Sequence, residues 1–355
     1  MVGGGPAGAT TALNLAPRWD VLVVESNSKP GRRIGESLVP AAGRLLSDMG
    51  LLESFRKLQF SPWYANAAVW ETDRPEETDF LQSPDGHGWH LDRGGFERFL
   101  QNTARERGVE ILAPACLESI RREGRGFRAT IRSRAGTDEV EAQFLIDAAG
   151  RNAPCGRGLG SRRKTDLPLL CMGIFGRVRH PDAGAGITFI EAAEHGWWYT
   201  APLPRQGRVL AFHTDAGNPA AARARTSEGL MAEAAKTRDL AQLMNSAGFE
   251  PDGHFLCPAS GSVLEPCAGD DWAASGDAAL TFDPLSSQGL LNALFLGLKA
   301  AEVADARLRG STSGAAQYVA HVSRIREAYR RGLCEAYSRV RRWPASPFWL
   351  RRSGS

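Results

Sequence analysis

The glycines at positions 3, 5 and 8 of MVGGGPAGAT stand in G-x-G-x-x-G spacing. That spacing supplies a tight turn, a backbone that approaches a pyrophosphate with no side chain between, and a helix packed closely on a strand. Glu25 follows Gly8 by seventeen residues, at the end of the apolar run in DVLVVES. A carboxylate there is placed to accept hydrogen bonds from an adenosine ribose.

A second glycine and acid pair lies far downstream in GDAALTFDPLSSQGL, which carries Gly276, Asp277, Pro284 and Gly289. An aspartate in such a turn suits the ribityl chain of a flavin, and the N-terminus of the helix that follows stabilises negative charge on a reduced isoalloxazine. Arg33 and Glu36 in GRRIGESLVP are candidates for contacting and orienting a cofactor loop. In EHGWWYTAPLP, His195 is the titratable candidate for accepting a proton from a ring hydroxyl. Trp197 and Tyr199 are candidate aromatic walls for a planar substrate. Because side chains alternate along a strand, at least one of Trp197, Trp198 and Tyr199 is expected to face away.

These residues need elements to hold them. Pro6 to about Ala16 reads as a helix, with Pro in its first turn and Pro17 ending it. DVLVVES reads as a buried parallel strand. Only Met1 and Val2 precede Gly3, where about five strand residues are usual, so the recorded start is expected to be late. A helix is expected near Ala41 to Met49, and HLDRGGFERFLQNTARERG turns from loop into an amphipathic helix. VEIL, FRATIRS and VEAQFLIDAAG read as strands. LLCMGIFGRVR, GITFIEA, GWWYTAPLP and RVLAFHTD alternate as four strands of a separate sheet. From Ser287 the chain becomes helical, with an Arg-rich stretch from about Ala315 to Arg342 and an aromatic tail containing Trp343 and Trp349.

The 355 residues include 43 basic and 40 acidic side chains for a net charge of +3, which implies no polyanionic partner and sets nucleic acid aside. Cys116, Cys155, Cys171, Cys257, Cys267 and Cys334 are scattered, with no close pairs and no histidines at metal-ligand spacing. They read as reduced thiols of a cytoplasmic protein that holds no metal. No apolar run approaches the roughly 18 residues of a membrane span.

GGGPAG with Glu25, the IGES segment, LIDAAGR at 145–151 and GDAALTFDP together resemble the flavoprotein monooxygenases that hold one FAD. The resemblance implies an α/β fold, that of the group A flavin monooxygenases. It implies a discontinuous Rossmann-like FAD-binding domain (1–60, 90–165 and 265–310), an inserted β-rich substrate domain (61–89 and 166–264) and a helical C-terminal region (311–355). It implies that Asp277 contacts the ribityl or pyrophosphate region and that Arg93, opening the middle helix, lies near the cofactor phosphates. The reaction it implies is hydroxylation of an electron-rich ring through a flavin C4a-hydroperoxide, with dioxygen as co-substrate and electrons from NAD(P)H or a separate reductase.

Within that family, IGESLVP and GWWYTAPLP are similar to the branch containing the flavin-dependent halogenases. The halogenase lysine would fall on YANAAVWE, where the nearest match is Asn66, and the halogenase W-x-W-x-I-P segment is incomplete. The same branch includes flavoproteins that hydroxylate a peptidyl tryptophan during tryptophylquinone maturation, and this chain resembles them in IGES and DPLSSQGL. A tryptophan-bearing protein or peptide is therefore the expected partner. Arg324, Arg326, Arg330, Arg331, Arg339, Arg341 and Arg342 are candidates for docking an acidic polypeptide, or form a solvated helix face. Hydroxylation of a free phenol or indole, halogenation, reduction of isoprenoid double bonds, and a non-catalytic FAD-binding maturation factor remain alternatives.

Overall fold

The computed structural model describes residues 1–80 and 83–353; residues 81, 82, 354 and 355, within the spans 61–89 and 311–355 above, lie outside the described residues. Pro6 at the first helical position starts the helix Pro6–Leu15. Nine of its ten residues are buried, so it is a core helix, packed between Arg93–Glu106 and Gly289–Leu308.

Beneath it runs a parallel sheet built around Val2, which bridges Val24 on one side and Asp147 on the other. Leu22–Val24 continues in parallel to Glu110–Leu112, and Leu145–Asp147 to Trp272–Ala274. These strands are short and apolar because helices and a β-meander cover both faces. The meander consists of Ala115–Glu123, Gly126–Ser133 and Gly136–Ala142 in antiparallel register. The stretch VEAQFLIDAAG therefore divides between two sheets. Its first half lies mostly exposed in the meander, whereas Leu145–Asp147 is wholly buried.

A seven-stranded sheet forms the second layer, in the order Phe249–Pro258, Leu170–Val178, Gly207–Thr214, Gly196–Leu203, Ile187–Ala193, Ala65–Val69 and Glu76–Asp79. All its pairings are antiparallel except that of Ile187–Ala193 with Ala65–Val69. Period-two alternation gives the sheet two working faces. Met172, Ile174, Trp198 and Phe212 pack beneath three short helices, Pro219–Arg223, Ser227–Ala234 and Asp239–Ala247. Cys171, Trp197 and Ala211 lie on the other face, against Tyr337, Phe348 and Trp349.

Those last residues belong to Gly314–Ser338 and Pro347–Ser353, which close over the sheet. The Trp349 indole donates to the Ala193 carbonyl at 3.0 Å, and the buried Arg352 guanidinium donates to Asp215 at 2.8 Å. Much of the basic stretch is used within the chain. Arg326 pairs with Glu265 at 3.0 Å, Arg339 with Glu335 at 2.9 Å, and Arg342 donates to the carbonyls of Val69, Trp70 and Ala192. Among the described residues no helix is long and apolar enough to cross a membrane.

Candidate functional site

One cavity of about 930 Å³ runs from the glycine turn at the chain start to the inner face of the seven-stranded sheet. At its polar end Gly3 has φ +100°, and a Cβ there would lie 2.3 Å from the Ala148 carbonyl oxygen. Only glycine fits so close a backbone contact. Gly5 is the N-cap of Pro6–Leu15 and nothing lies within 4 Å of where its Cβ would stand, so it faces open cavity. With no side chain capping this helix, its first-turn N–H groups remain available to an anion.

Glu25 lines the cavity and also braces the turn. Its carboxylate accepts from the Gly4 N–H at 2.7 Å and from the backbone and side-chain nitrogens of Asn27 at 2.8 and 2.9 Å. Gln101 donates to the Gly4 carbonyl at 2.8 Å, a brace that the sequence did not disclose. Asp147 anchors the next wall segment by accepting from the N–H groups of Ala149, Cys155 and Gly156.

Arg33 lines the cavity and is exposed to it. Arg93, opening its helix, donates to the carbonyls of Ile34 and Gly35 and pairs with Glu97 at 2.9 Å, so it pins the IGES loop at the cavity edge. Gly276 has φ +57°, and the turn Gly276–Ala278 presents Asp277 to the cavity 3.9 Å from Arg151. Enclosure raises the Asp277 carboxyl above its ordinary range, against the pull of Arg151, Arg93 and Arg163. Pro284 opens a short turn and Gly289 begins Gly289–Leu308, whose N-cap Gln288 provides no side-chain cap. Both residues line the cavity.

The apolar end differs from the sequence reading. Tyr199 lines it, together with Phe175, Phe255 and Phe282, but His195, Trp197 and Glu36 do not. His195 sits in the turn before Gly196–Leu203, where its carbonyl accepts from the Thr214 hydroxyl. Its side chain is not among those that line the cavity. Trp197 is fully buried behind His213, their rings stacked at 3.7 Å with 8° between planes, and so does not form the wall. Trp198 lies on the opposite sheet face, as alternation requires.

Glu36 is buried beneath the wall. It accepts from the Gly35 N–H at 2.8 Å and closely from the Tyr199 hydroxyl, which also lies 3.0 Å from Ser37 Oγ. It ties the IGES loop to Tyr199. Burial raises the carboxyl of Glu36 despite these donors, and burial with the adjacent Glu36 raises the Tyr199 phenol.

Two titratable groups unread in the sequence line the cavity. The His213 ring is wholly buried, and burial pushes its pKa down to about 3 against a backbone hydrogen bond at Trp197. Asp283 accepts from the Leu285 N–H at 2.9 Å and the Tyr337 hydroxyl at 2.8 Å, while Tyr337 accepts from the Trp197 indole at 3.0 Å. Burial pushes Asp283 up to about 6 against those hydrogen bonds.

A carboxyl raised from 3.8 to about 6 on folding contributes stability that is present below pH 4 and lost as pH rises through 6. Asp283→Asn is therefore expected to gain stability relative to the parent between pH 4 and pH 7. Paired thermal melts across that range check the sign, and a constant difference would contradict it.

A glycine turn on a parallel sheet, a carboxylate after the second strand, an aspartate turn and an apolar end in one cavity define a dinucleotide-binding flavoprotein. Residues 1–293 match the family model described as an FAD binding domain, and the chain belongs to that family. Its cofactor is FAD, and the family's members are enzymes. LodB of Marinomonas mediterranea is 28% identical over 358 residues, covering 99% of this chain and 95% of that protein. The flavin-dependent halogenase CmlS superposes with a TM-score of 0.89 at 25% identity, covering 99% of this chain and 66% of its own. The peptidyl tryptophan dihydroxylase QhpG superposes with a TM-score of 0.73 at 24% identity, covering 99% and 77%, which is a likeness of fold.

The residues present fit FAD: the open space at Gly5, the uncapped helix N-terminus and the basic side chains of Arg33 and Arg93 face one cavity. Asp277→Ala is expected to lower FAD affinity roughly 10- to 100-fold, the loss of a hydrogen bond to a charged group. Flavin retained by the purified variant measures this, and unchanged content would remove Asp277 from the cofactor contacts.

Proposed function

We propose that the chain is an FAD-dependent monooxygenase that hydroxylates an electron-rich aromatic ring, with a tryptophan of a partner polypeptide as its substrate. One observation carries this reading. The phosphate turn and a wall of Phe175, Tyr199, Phe255 and Phe282 share one cavity whose described lining contains no lysine. Asn66 occupies the sequence position considered for the halogenase lysine. By register with Thr188, and by alternation from Ile190 opposite Tyr199, it lies on the same sheet face two strands from Tyr199. An amide carries no charge with which to polarise a hypohalous species.

Bound FAD, reduced by NAD(P)H or a separate reductase, supplies oxygen transfer from dioxygen. The chain's own residues place the ring and keep water out. Phe175 and Phe255, with ring centroids 4.8 Å apart and planes tilted by 34°, give an apolar wall for an aromatic substrate. Tyr199 is held by Glu36 and Ser37. His213, kept neutral by burial, is stacked on Trp197 at this end of the cavity. Asp283, with its pKa near 6, is the lining group poised to accept a proton near neutral pH, the role first assigned to His195.

A polypeptide substrate is supported by an adjoining groove of about 830 Å³, with Leu45, Leu291, Phe295, Ile325 and Leu333 in its lining and Gln288 shared with the cavity. Halogenation is the second reading, favoured by the likeness to CmlS. Oxygen uptake with electron-rich aromatic substrates in bromide buffer separates the readings. Hydroxylated product formed in step with uptake supports the proposal; brominated product supports halogenation, and oxygen uptake that leaves the aromatic ring unmodified contradicts both.

A further inference from the structure

Cys171 and Cys257 are far apart in the chain but directly opposite each other on adjacent antiparallel strands, Leu170–Val178 and Phe249–Pro258. Both line the cavity and both are free thiols. Directly opposed residues on such strands have Cα atoms about 4.5–5.5 Å apart, within the range that a disulfide spans. The rung continues across the sheet through His213 to Trp197, so the two thiols share one sheet face with His213 and Trp197.

We propose that Cys171 and Cys257 form a reversible disulfide in the cavity wall, with hydrogen peroxide as the oxidant. Peroxide is the competing product that a flavin site must suppress, so such an oxidant arises where these thiols lie. The half-buried Cys257 is the attacking sulfur. The hydrogen bond from the Cys171 thiol and the nearby Arg151 lower its pKa, while that same hydrogen bond and burial raise Cys171.

Cys257 thiolate attacks one peroxide oxygen, the O–O bond breaks, and hydroxide leaves with the electron pair. The Cys171 sulfur then attacks the resulting sulfenic acid, the S–O bond breaks, and water leaves. The hydroxide takes up the proton first lost from Cys257. In sum two thiols and one peroxide give one disulfide and two waters, the sulfurs being oxidised by two electrons and the peroxide reduced by two.

The test treats the FAD-loaded protein, without substrate, with one equivalent of hydrogen peroxide, followed by alkylation and peptide mass spectrometry. Two of the six cysteines are expected to be lost together, as a linked Cys171 and Cys257 peptide pair lighter by two hydrogens and restored by a thiol reductant. Cys257 is expected to oxidise before the exposed Cys116, its thiolate being favoured by the Cys171 thiol and Arg151. In Cys171→Ser, checked for unchanged flavin content, dimedone should capture a sulfenic acid at Cys257. Full alkylation of both residues after Cys116 has oxidised, or linkage to other cysteines, would overturn the proposal. Since no aromatic substrate is present, that failure would leave the hydroxylase reading untouched.

Discussion

Gly5→Asp is expected to yield a folded protein that has lost its FAD. Gly5 is the N-cap of Pro6–Leu15 with φ −69° and ψ −174°, an extended conformation open to any residue, and its Cβ would meet nothing within 4 Å. Aspartate is also a favourable N-cap, so the helix should be no less stable. The new carboxylate, however, would occupy the helix N-terminus expected to bind the cofactor's pyrophosphate, adding bulk and like charge in one place. Affinity is expected to fall about 1000-fold or more, which corresponds to about 4 kcal/mol. Flavin titration gives the affinity and circular dichroism checks the fold. A folded variant that keeps its flavin would show that the pyrophosphate lies elsewhere.

Gly8→Ala is expected to fail at the opposite level, in the fold itself. One added methyl would stand 2.0 Å from the Gly3 carbonyl oxygen and 3.1 Å from the Ala148 Cβ. The nearest obstacle is backbone and cannot rotate away. Helix Pro6–Leu15 would have to lift from the sheet it covers, at a cost of about 3 kcal/mol or more, the upper range for overpacking. Denaturant midpoints of flavin-free protein measure this without involving the cofactor. A change within about 0.5 kcal/mol, ordinary for a surface site, would contradict the close packing.

The cofactor end was legible in the sequence because its chemistry is written in backbone contacts that only particular residues permit. Gly3 and Gly8 mark places where a Cβ collides, Glu25 ends a recognisable apolar strand, and Asp277 follows a glycine with positive φ. The four strands between Leu170 and Thr214 were legible from their apolar composition and turns. Phe249–Pro258 was not, because it carries Pro251, Asp252, Gly253 and Pro258, residues that a sheet admits at its edge, where this strand lies.

The substrate end was harder to read because its composition depends on which strands become neighbours. The sequence places His195 beside Trp197, but the sheet places His213 against Trp197 and leaves His195 in a turn. The same pairing unites Cys171 with Cys257, for which no local spacing gives a sign. Asp283 lay within a segment already singled out, yet its raised pKa comes from burial that only the folded chain creates, against the hydrogen bond from Tyr337 of the C-terminal helix.

The measurement that bears most directly on the proposed activity is mass spectrometry of a tryptophan-containing partner polypeptide after turnover with FAD, a reductant and isotopically labelled dioxygen, with chloride and bromide present. The expected result is labelled oxygen on a tryptophan ring of the polypeptide, absent when reductant is omitted. A halogenated ring, or oxygen consumption that leaves both polypeptide and free aromatic substrates unmodified, would contradict the assignment as a monooxygenase.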